Sequence, residues 1–221
     1  MGKPKITPQA SPRIARAGPV HFQPLEWELA PVARYFSGAV LNAGCGDRDL
    51  SSWFESCGVA EVTSYDVASE LEGAVTGSLE AMPFPDRRFD TILCNAVLEH
   101  VENIDAVMAE LARVLKPGGH AVLAVPFLQP YHPCPGDYRR YTKDGLIGLG
   151  GSVGLDAVEA LPVHSAAQSV GWILWETAVE RGRLARAVAW PIVYAWTRLS
   201  LRTDPRVVRN ANTYQIVFRR P

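Results

Sequence analysis

Two groups of residues in this chain have types and spacings suited to chemistry. The first is Val40-Leu-Asn-Ala-Gly-Cys-Gly-Asp-Arg-Asp49, an apolar run entering a Gly-x-Gly turn, with Asp66 closing another apolar run about twenty residues later. Glycines at a strand end let the main chain approach a ligand closely, and a helix start offers free N–H groups to an anion. A carboxylate closing the next strand can accept from both ribose hydroxyls. The second group is Pro126-Phe-Leu-Gln-Pro-Tyr-His-Pro-Cys-Pro-Gly-Asp-Tyr-Arg-Arg-Tyr-Thr142, which collects His132, Asp137, Tyr138 and Arg140 in one short stretch. So dense a polar and aromatic segment is poor packing material. A neutral imidazole is the usual agent for taking a proton from an alcohol. His132 is therefore a candidate base, with His100 as the other imidazole placed to serve. The alternative is a rigid lid, in which Arg140 pairs with Asp137 and Thr142 only caps a helix starting at Lys143.

The glycine loop discriminates between cofactors. A dinucleotide fingerprint wants a third glycine three residues after the second, where this chain has Asp49. Asp47 and Asp49 would also place negative charge where a pyrophosphate lies. S-Adenosylmethionine carries no phosphate, and its sulfonium, ammonium and carboxylate suit a mixture of N–H donors and carboxylates. The expected cofactor is S-adenosylmethionine, and no metal is expected.

The elements that must position these residues follow from periodicity. Phe89 to Asn95 and His120 to Val125 are short apolar runs with β-branched members, as strands buried on both faces require. Between them, Ile104, Val107, Met108, Leu111, Val114 and Leu115 recur at helical spacing, with Asn103 or Asp105 as cap and Pro117-Gly118-Gly119 as stop. A short helix is expected from Leu25 to Phe36, and strands at Ala157 to Val163 and Thr213 to Arg220. Strands alternating with helices imply a parallel sheet with its ligand site at the strands' carboxyl ends. The expected fold is α/β, a doubly wound Rossmann-like sheet of seven strands, mostly parallel with an antiparallel last strand.

Residues 77 to 126 contain Gly-Ser-Leu-Glu-Ala-Met-Pro-Phe-Pro, then Asn-Ala-Val-Leu-Glu-His, then Leu-Lys-Pro-Gly-Gly-His. With the glycine loop, these motifs resemble the class I S-adenosylmethionine-dependent methyltransferases of the type 11-like group, closely over residues 38 to 126 and loosely elsewhere. The His132 segment is similar to a His-x-x-Pro-x-Asp-Tyr-x-Arg-x-Thr pattern associated with methyltransferases of polysaccharide and secondary-metabolite pathways, a resemblance that implies His132 or Asp137 as base, with Tyr138 and Arg140 shaping the acceptor pocket or bracing the segment. The resemblance implies that Gly44 and Gly46 lie under the methionine end of the cofactor and Asp66 on its ribose, flanked by Asn42, Cys45 and Val67. Cys45 reads equally as a small filler between glycines. Many relatives have an Asp for adenine where this chain has Ser78, so adenine recognition falls to main-chain groups near Leu79. Asn95 faces the methionine part, with Leu98 on the following turn. The implied activity is methyl transfer to a small-molecule acceptor, a hydroxyl of a sugar, glycan precursor or secondary metabolite. The alternatives are a lipid or quinone-like acceptor at a membrane surface, or a non-catalytic cofactor-binding protein.

At 221 residues, 48% hydrophobic and net charge −1, the chain reads as one globular domain over residues 21–221, preceded by a loose proline-rich tail over 1–20. No basic run is dense enough to follow nucleic-acid phosphates. The cysteines at 45, 57, 94 and 134 show no close metal-ligand pairing and no secretory signal precedes them, so reduced thiols in a cytoplasmic protein are expected. Residues 165–205 form a helical insertion before the last strand, rich in Trp and Arg. Its longest apolar run is too short to span a bilayer. It reads as ordinary core, a lid, a homodimer interface, or a peripheral membrane contact through residues 166–201.

Overall fold

The computed structural model describes residues 18–201 and 210–221. Most of the tail expected over residues 1–20, and the end of the 165–205 insertion, lie outside them. The strands are β1 (Ala39–Ala43), β2 (Glu61–Asp66), β3 (Val75–Thr76), β4 (Phe89–Asn95), β5 (Leu115–Pro126), β6 (Asp156–Ser165) and β7 (Ala211–Arg219). The α-helices are α1 (Leu25–Leu29), α2 (Ser51–Ser56), α3 (Ile104–Val114), α4 (Lys143–Gly151), α5 (Ala166–Glu180) and α6 (Arg183–Ser200). The strands form one sheet in the order β3-β2-β1-β4-β5-β7-β6, with β7 antiparallel to both β5 and β6 and the other pairings parallel. The expected α/β sheet of seven strands with an antiparallel last strand is thus the observed one.

Side chains alternate across a strand, so neighbouring residues serve opposite layers. Val40, Leu93, Val122 and Val217 pack beneath α1 and α2 with Leu29, Val32, Phe36 and Phe54. Leu41, Ile92, Leu123 and Ile216 pack on the other face with Val107, Met108 and Leu111 of α3 and Leu146 of α4. The apolar pair Val40-Leu41 of β1, with one side chain in each layer, is therefore a demand of the architecture, as sheets covered on both faces require.

Helix α3 starts where Asn103 accepts from the Ala106 amide at 3.2 Å, a cap worth about 1 kcal/mol. It ends at Val114, one residue before the expected limit. Leu115, expected as the last helical residue, and Pro117-Gly118-Gly119, expected as the stop, already belong to β5. The reason lies at the far end of the chain. Arg220 donates from its guanidinium to the carbonyls of Ala112, Arg113 and Leu115, while Gly118 donates its amide to the Arg220 carbonyl at 2.7 Å. The C-terminal strand thus captures the helix end.

The expected helix from Leu25 to Phe36 is an α-helical turn followed by a 3₁₀ segment over Ala30–Tyr35, with Pro31 at its start. In the insertion, Ser165 and Gln168 form a capping box for α5, and Gly171 lets α6 approach so closely that a Cβ there would stand 2.4 Å from Thr197 Cγ2. Among the described residues, no helix is long and apolar enough to cross a membrane.

Candidate active site

Strands β1 and β4 are neighbours from which the chain moves to opposite sides, β1 towards β2 and β4 towards β5. Such a switch point opens a crevice at the carboxyl ends of the strands. Both groups of chemically suited residues emerge there.

The glycine loop and Asp66 form one unit. Gly46 donates its amide to Asp66 Oδ2 at 2.9 Å, and Ala68 donates to Oδ1 at 2.9 Å, so each carboxylate oxygen keeps further acceptor capacity. Gly44 and Cys45 donate to the Tyr65 carbonyl at 2.7 and 3.2 Å. The two glycines are required for different reasons. A Cβ on Gly44, at φ +74°, would stand 2.3 Å from the Val97 side chain, whereas Gly46, at φ +54°, faces open space. Only the second leaves room for a ligand above the backbone. Val67 beside it is 67% exposed, and Cys45 is a buried filler whose thiol burial pushes up. Asn42 is buried within β1.

Ser78 follows Gly77, where a Cβ would collide with the Tyr65 hydroxyl at 2.2 Å. The Tyr65 hydroxyl donates to the Ser78 carbonyl at 3.0 Å, and Ser78 Oγ accepts from the Glu80 amide at 3.2 Å. Leu79 is buried beside them. Asn95 ends β4 half-buried, and Ala96 turns the chain with φ +54°, sparsely populated for a residue with a Cβ. That turn aims Val97 at Gly44 and sends Leu98, Glu99 and His100 beneath the long segment after β5.

This segment is held by two arginines. Arg140 pairs with both oxygens of Asp137, at 2.7 Å on Oδ2, and also donates to the Pro130 carbonyl at 2.8 Å. Asp137 further accepts from the His132 amide at 2.8 Å. Burial pushes the Asp137 carboxyl upward, but Arg140 and the His132 amide outweigh it and hold it at about 2. Arg139 donates to the carbonyls of Val101 at 2.7 Å and Glu102 at 2.9 Å, and the Tyr138 amide donates to the Glu99 carbonyl at 2.8 Å. Thr142 caps α4 through the Gly145 amide. The Tyr138 ring is half exposed.

The pairing brings His132 and His100 together, with ring centroids 5.3 Å apart. Their Nε2 atoms lie 3.9 and 3.7 Å from Glu99 Oε1. Burial pulls the His132 pKa down, but the Glu99 carboxylate and the Pro130 carbonyl outweigh it, for a net rise. At 3.9 Å the Glu99 contact is one of charge rather than a hydrogen bond. Trp172 of α5 covers His132, with centroids 5.4 Å apart. Burial first, then the carboxylates of Asp66 and Glu99, push the Cys134 thiol up. Sequence reasoning placed Glu99 and Arg139 near the site without assigning them a role. The burial of one and the partners of the other depend on loop geometry that has no sequence period.

Comparison with known proteins agrees with this geometry. Residues 41–123 match the family described as "Methyltransferase domain". Over this stretch the chain is similar to methyltransferase domains. The matched stretch runs from β1 into β5, so it contains the glycine loop, Asp66, Asn95 and the Leu98 to His100 turn. The ubiquinone/menaquinone biosynthesis C-methyltransferase UbiE of Burkholderia mallei is 31% identical over 136 residues, covering 54% of this chain and 56% of that protein. The chain thus matches little more than half the length of this curated relative. In fold, the domain is similar to a SAM-dependent methyltransferase from Archaeoglobus fulgidus, with TM-score 0.61 and 14% identity over 89% of this chain and 93% of that one. It is also similar to the 1,6-didemethyltoxoflavin-N1-methyltransferase of Burkholderia thailandensis, with TM-score 0.58 and 16% identity over 94% and 79%. That protein was crystallised with S-adenosylhomocysteine bound.

Proposed function

We propose that the chain is an S-adenosylmethionine-dependent methyltransferase acting on a small-molecule acceptor. The observation that carries this reading is the Gly46 amide to Asp66 carboxylate bond at the switch point of the sheet. It fixes a carboxylate with spare acceptor capacity beside a glycine that faces open space, as a ribose and a methionine end require. Asp66 takes the ribose hydroxyls, Gly44 to Gly46 the methionine end, and the main chain at Ser78 and Leu79 the adenine, with Asn42, Val67, Asn95 and Leu98 lining the cofactor. The similar Burkholderia thailandensis enzyme binds S-adenosylhomocysteine, the product of this cofactor.

The reaction displaces the thioether. The bond from sulfur to the methyl carbon breaks, a bond from that carbon to the acceptor atom forms, and the sulfur keeps the electron pair. Positioning in line supplies most of the acceleration. For a hydroxyl acceptor the remaining task is removal of one proton. The cluster of Glu99, His100 and His132 lies on the acceptor side, under the segment braced by Asp137 and Arg140. We assign it that task and give the half-exposed Tyr138 ring a place at the acceptor pocket. A hydroxyl of a sugar, glycan precursor or secondary metabolite fits a pocket lined by imidazoles and a phenol.

A second reading keeps this chemistry but takes a lipid or quinone-like acceptor at a membrane surface. It is favoured by the exposed apolar face of the α5 and α6 hairpin. Leu184, Val188 and Ile192 are exposed there, beside a groove of about 550 Å³ that Leu174 also lines. Adjacent exposed apolar side chains on one helix pair are what a partner or a membrane surface would cover. The UbiE relative acts in quinone biosynthesis by its name.

The experiment is methyl-labelled cofactor with two acceptor panels, nucleotide-linked sugars and short-chain quinols, with flotation on anionic vesicles alongside. Label in sugars without flotation supports the first reading, and label in quinols with flotation supports the second. Failure to bind the cofactor removes both.

A further inference from the structure

Glu99 is fully buried, and among the described residues neither carboxylate oxygen accepts a hydrogen bond. A buried carboxylate without hydrogen bonds is costly, and a bound cation would offset that cost. The nearest groups are the two imidazoles, and their protons are placed by other contacts. His100 Nδ1 lies 2.6 Å from the Gly136 carbonyl and His132 Nδ1 lies 2.8 Å from the Pro130 carbonyl. A carbonyl oxygen only accepts, so each Nδ1 carries the proton. Arg140 Nη2 also lies 3.3 Å from His132 Nδ1, but its donor is directed to the Pro130 carbonyl and Asp137. In the neutral rings both Nε2 lone pairs are therefore bare, and both Nε2 atoms lie within 4 Å of the same Glu99 oxygen.

We propose that Glu99, His100 and His132 bind a divalent first-row transition-metal ion. The three ligand atoms lie within 4.8 Å of one another. Ligand atoms about 2.0–2.2 Å from a tetrahedral zinc-like ion stand about 3.3–3.6 Å apart, so the 3.7 and 3.9 Å separations close by about 0.1 to 0.6 Å. At their present length these separations are too long for N–H to O hydrogen bonds. Two imidazoles with one carboxylate select zinc, iron(II), cobalt or nickel over calcium and magnesium. The backbone carbonyls on Nδ1 are the outer partners that orient metal-binding histidines.

The elements converge for this purpose. Glu99 and His100 come from the turn after β4 and His132 from the segment after β5. The Tyr138 amide ties that segment to the Glu99 carbonyl, and Trp172 covers His132 from α5. Three protein ligands leave the ion further coordination positions. An acceptor hydroxyl bound at one of them would lose its proton more readily, which gives the cluster's task in the proposed reaction a physical agent. The metal site itself stands on this geometry alone and does not depend on the cofactor reading.

The test uses the full chain without cofactor, stripped with a chelator and titrated with cobalt(II), reading visible absorption and then the metal content after desalting. About one equivalent is expected, displaced by zinc. Glu99→Gln, His100→Gln and His132→Gln should each weaken binding by about tenfold or more, with unchanged circular dichroism. His120→Gln, an imidazole outside the cluster, should leave binding unchanged. No uptake by the unaltered chain overturns the proposal, as does uptake that survives all three substitutions. If the variants do not fold, the unaltered cobalt form decides. Two cobalt-shifted imidazole N–H resonances, from His100 and His132, are expected, and their absence overturns the proposal.

Discussion

Val97 fills the space that a Cβ on Gly44 would need, at 2.3 Å, so the turn after β4 is packed directly against the loop after β1. Gly44→Ala should destabilise the protein by about 2 kcal/mol, from the clash together with the cost of φ +74° for a residue with a Cβ. Adding Val97→Ala removes the clash but not the strained backbone, so the double variant should recover only part of the loss. Denaturant unfolding of the single and double variants measures this. Strict additivity would contradict the contact.

His132→Ala and His100→Ala should each lower kcat by about 100-fold or more, the scale of lost proton transfer. Cofactor affinity should stay within a few-fold, because Asp66 and the glycine loop are untouched. Steady-state kinetics with cofactor titration separates the two effects. Unchanged turnover in both variants would move acceptor activation elsewhere.

The Asp137 carboxylate is buried against Arg140, and losing one partner of such a pair costs about 3 kcal/mol. Asp137→Asn should therefore loosen residues 129–140 and speed their cleavage in limited proteolysis. Arg140→Lys should do so too, since an ammonium cannot reproduce the paired contacts to Asp137 with those to Pro130. KM for the acceptor should rise in both.

Glu110 accepts from Arg113 at 2.6 and 2.8 Å and from the Met82 amide at 2.7 Å, contacts that hold its carboxyl below the usual range. Its folded pKa is depressed, so its stabilisation is complete above the unfolded value of ~4.3 and is lost as pH falls through the folded value. Glu110→Gln should cost about 1 kcal/mol at neutral pH, allowing for partial exposure of the pair. The gap from the unaltered protein should close as pH drops below ~4.3. A gap that widens in acid would reverse the assignment.

The sheet was legible because its strands are buried on both faces. Val40-Leu41, Ile92-Leu93 and Val122-Leu123 must all be apolar, and the runs end at the turns that carry the site. The link from Gly46 to Asp66 followed from spacing along adjacent strands, a geometry that β pairing fixes. The loop after β5 was less legible. Of two neighbouring arginines, Arg140 turns in to Asp137 while Arg139 reaches the carbonyls of Val101 and Glu102, and no periodicity distinguishes them. Nor does any local pattern reveal that Glu99 points inward without a hydrogen-bond partner among the described residues. The insertion was read most evenly between core and surface. Its apolar residues are divided between Trp172 and Val193, which are buried, and Leu184, Val188 and Ile192, which are not.

Calorimetric titration of S-adenosylhomocysteine into the unaltered protein and into Asp66→Ala tests the central claim most directly. Saturable binding near one equivalent is expected for the first, weakened by about 1–3 kcal/mol in the second through loss of charge-assisted hydrogen bonds. Equal affinity in the two proteins, or no binding to the unaltered one, would contradict the account.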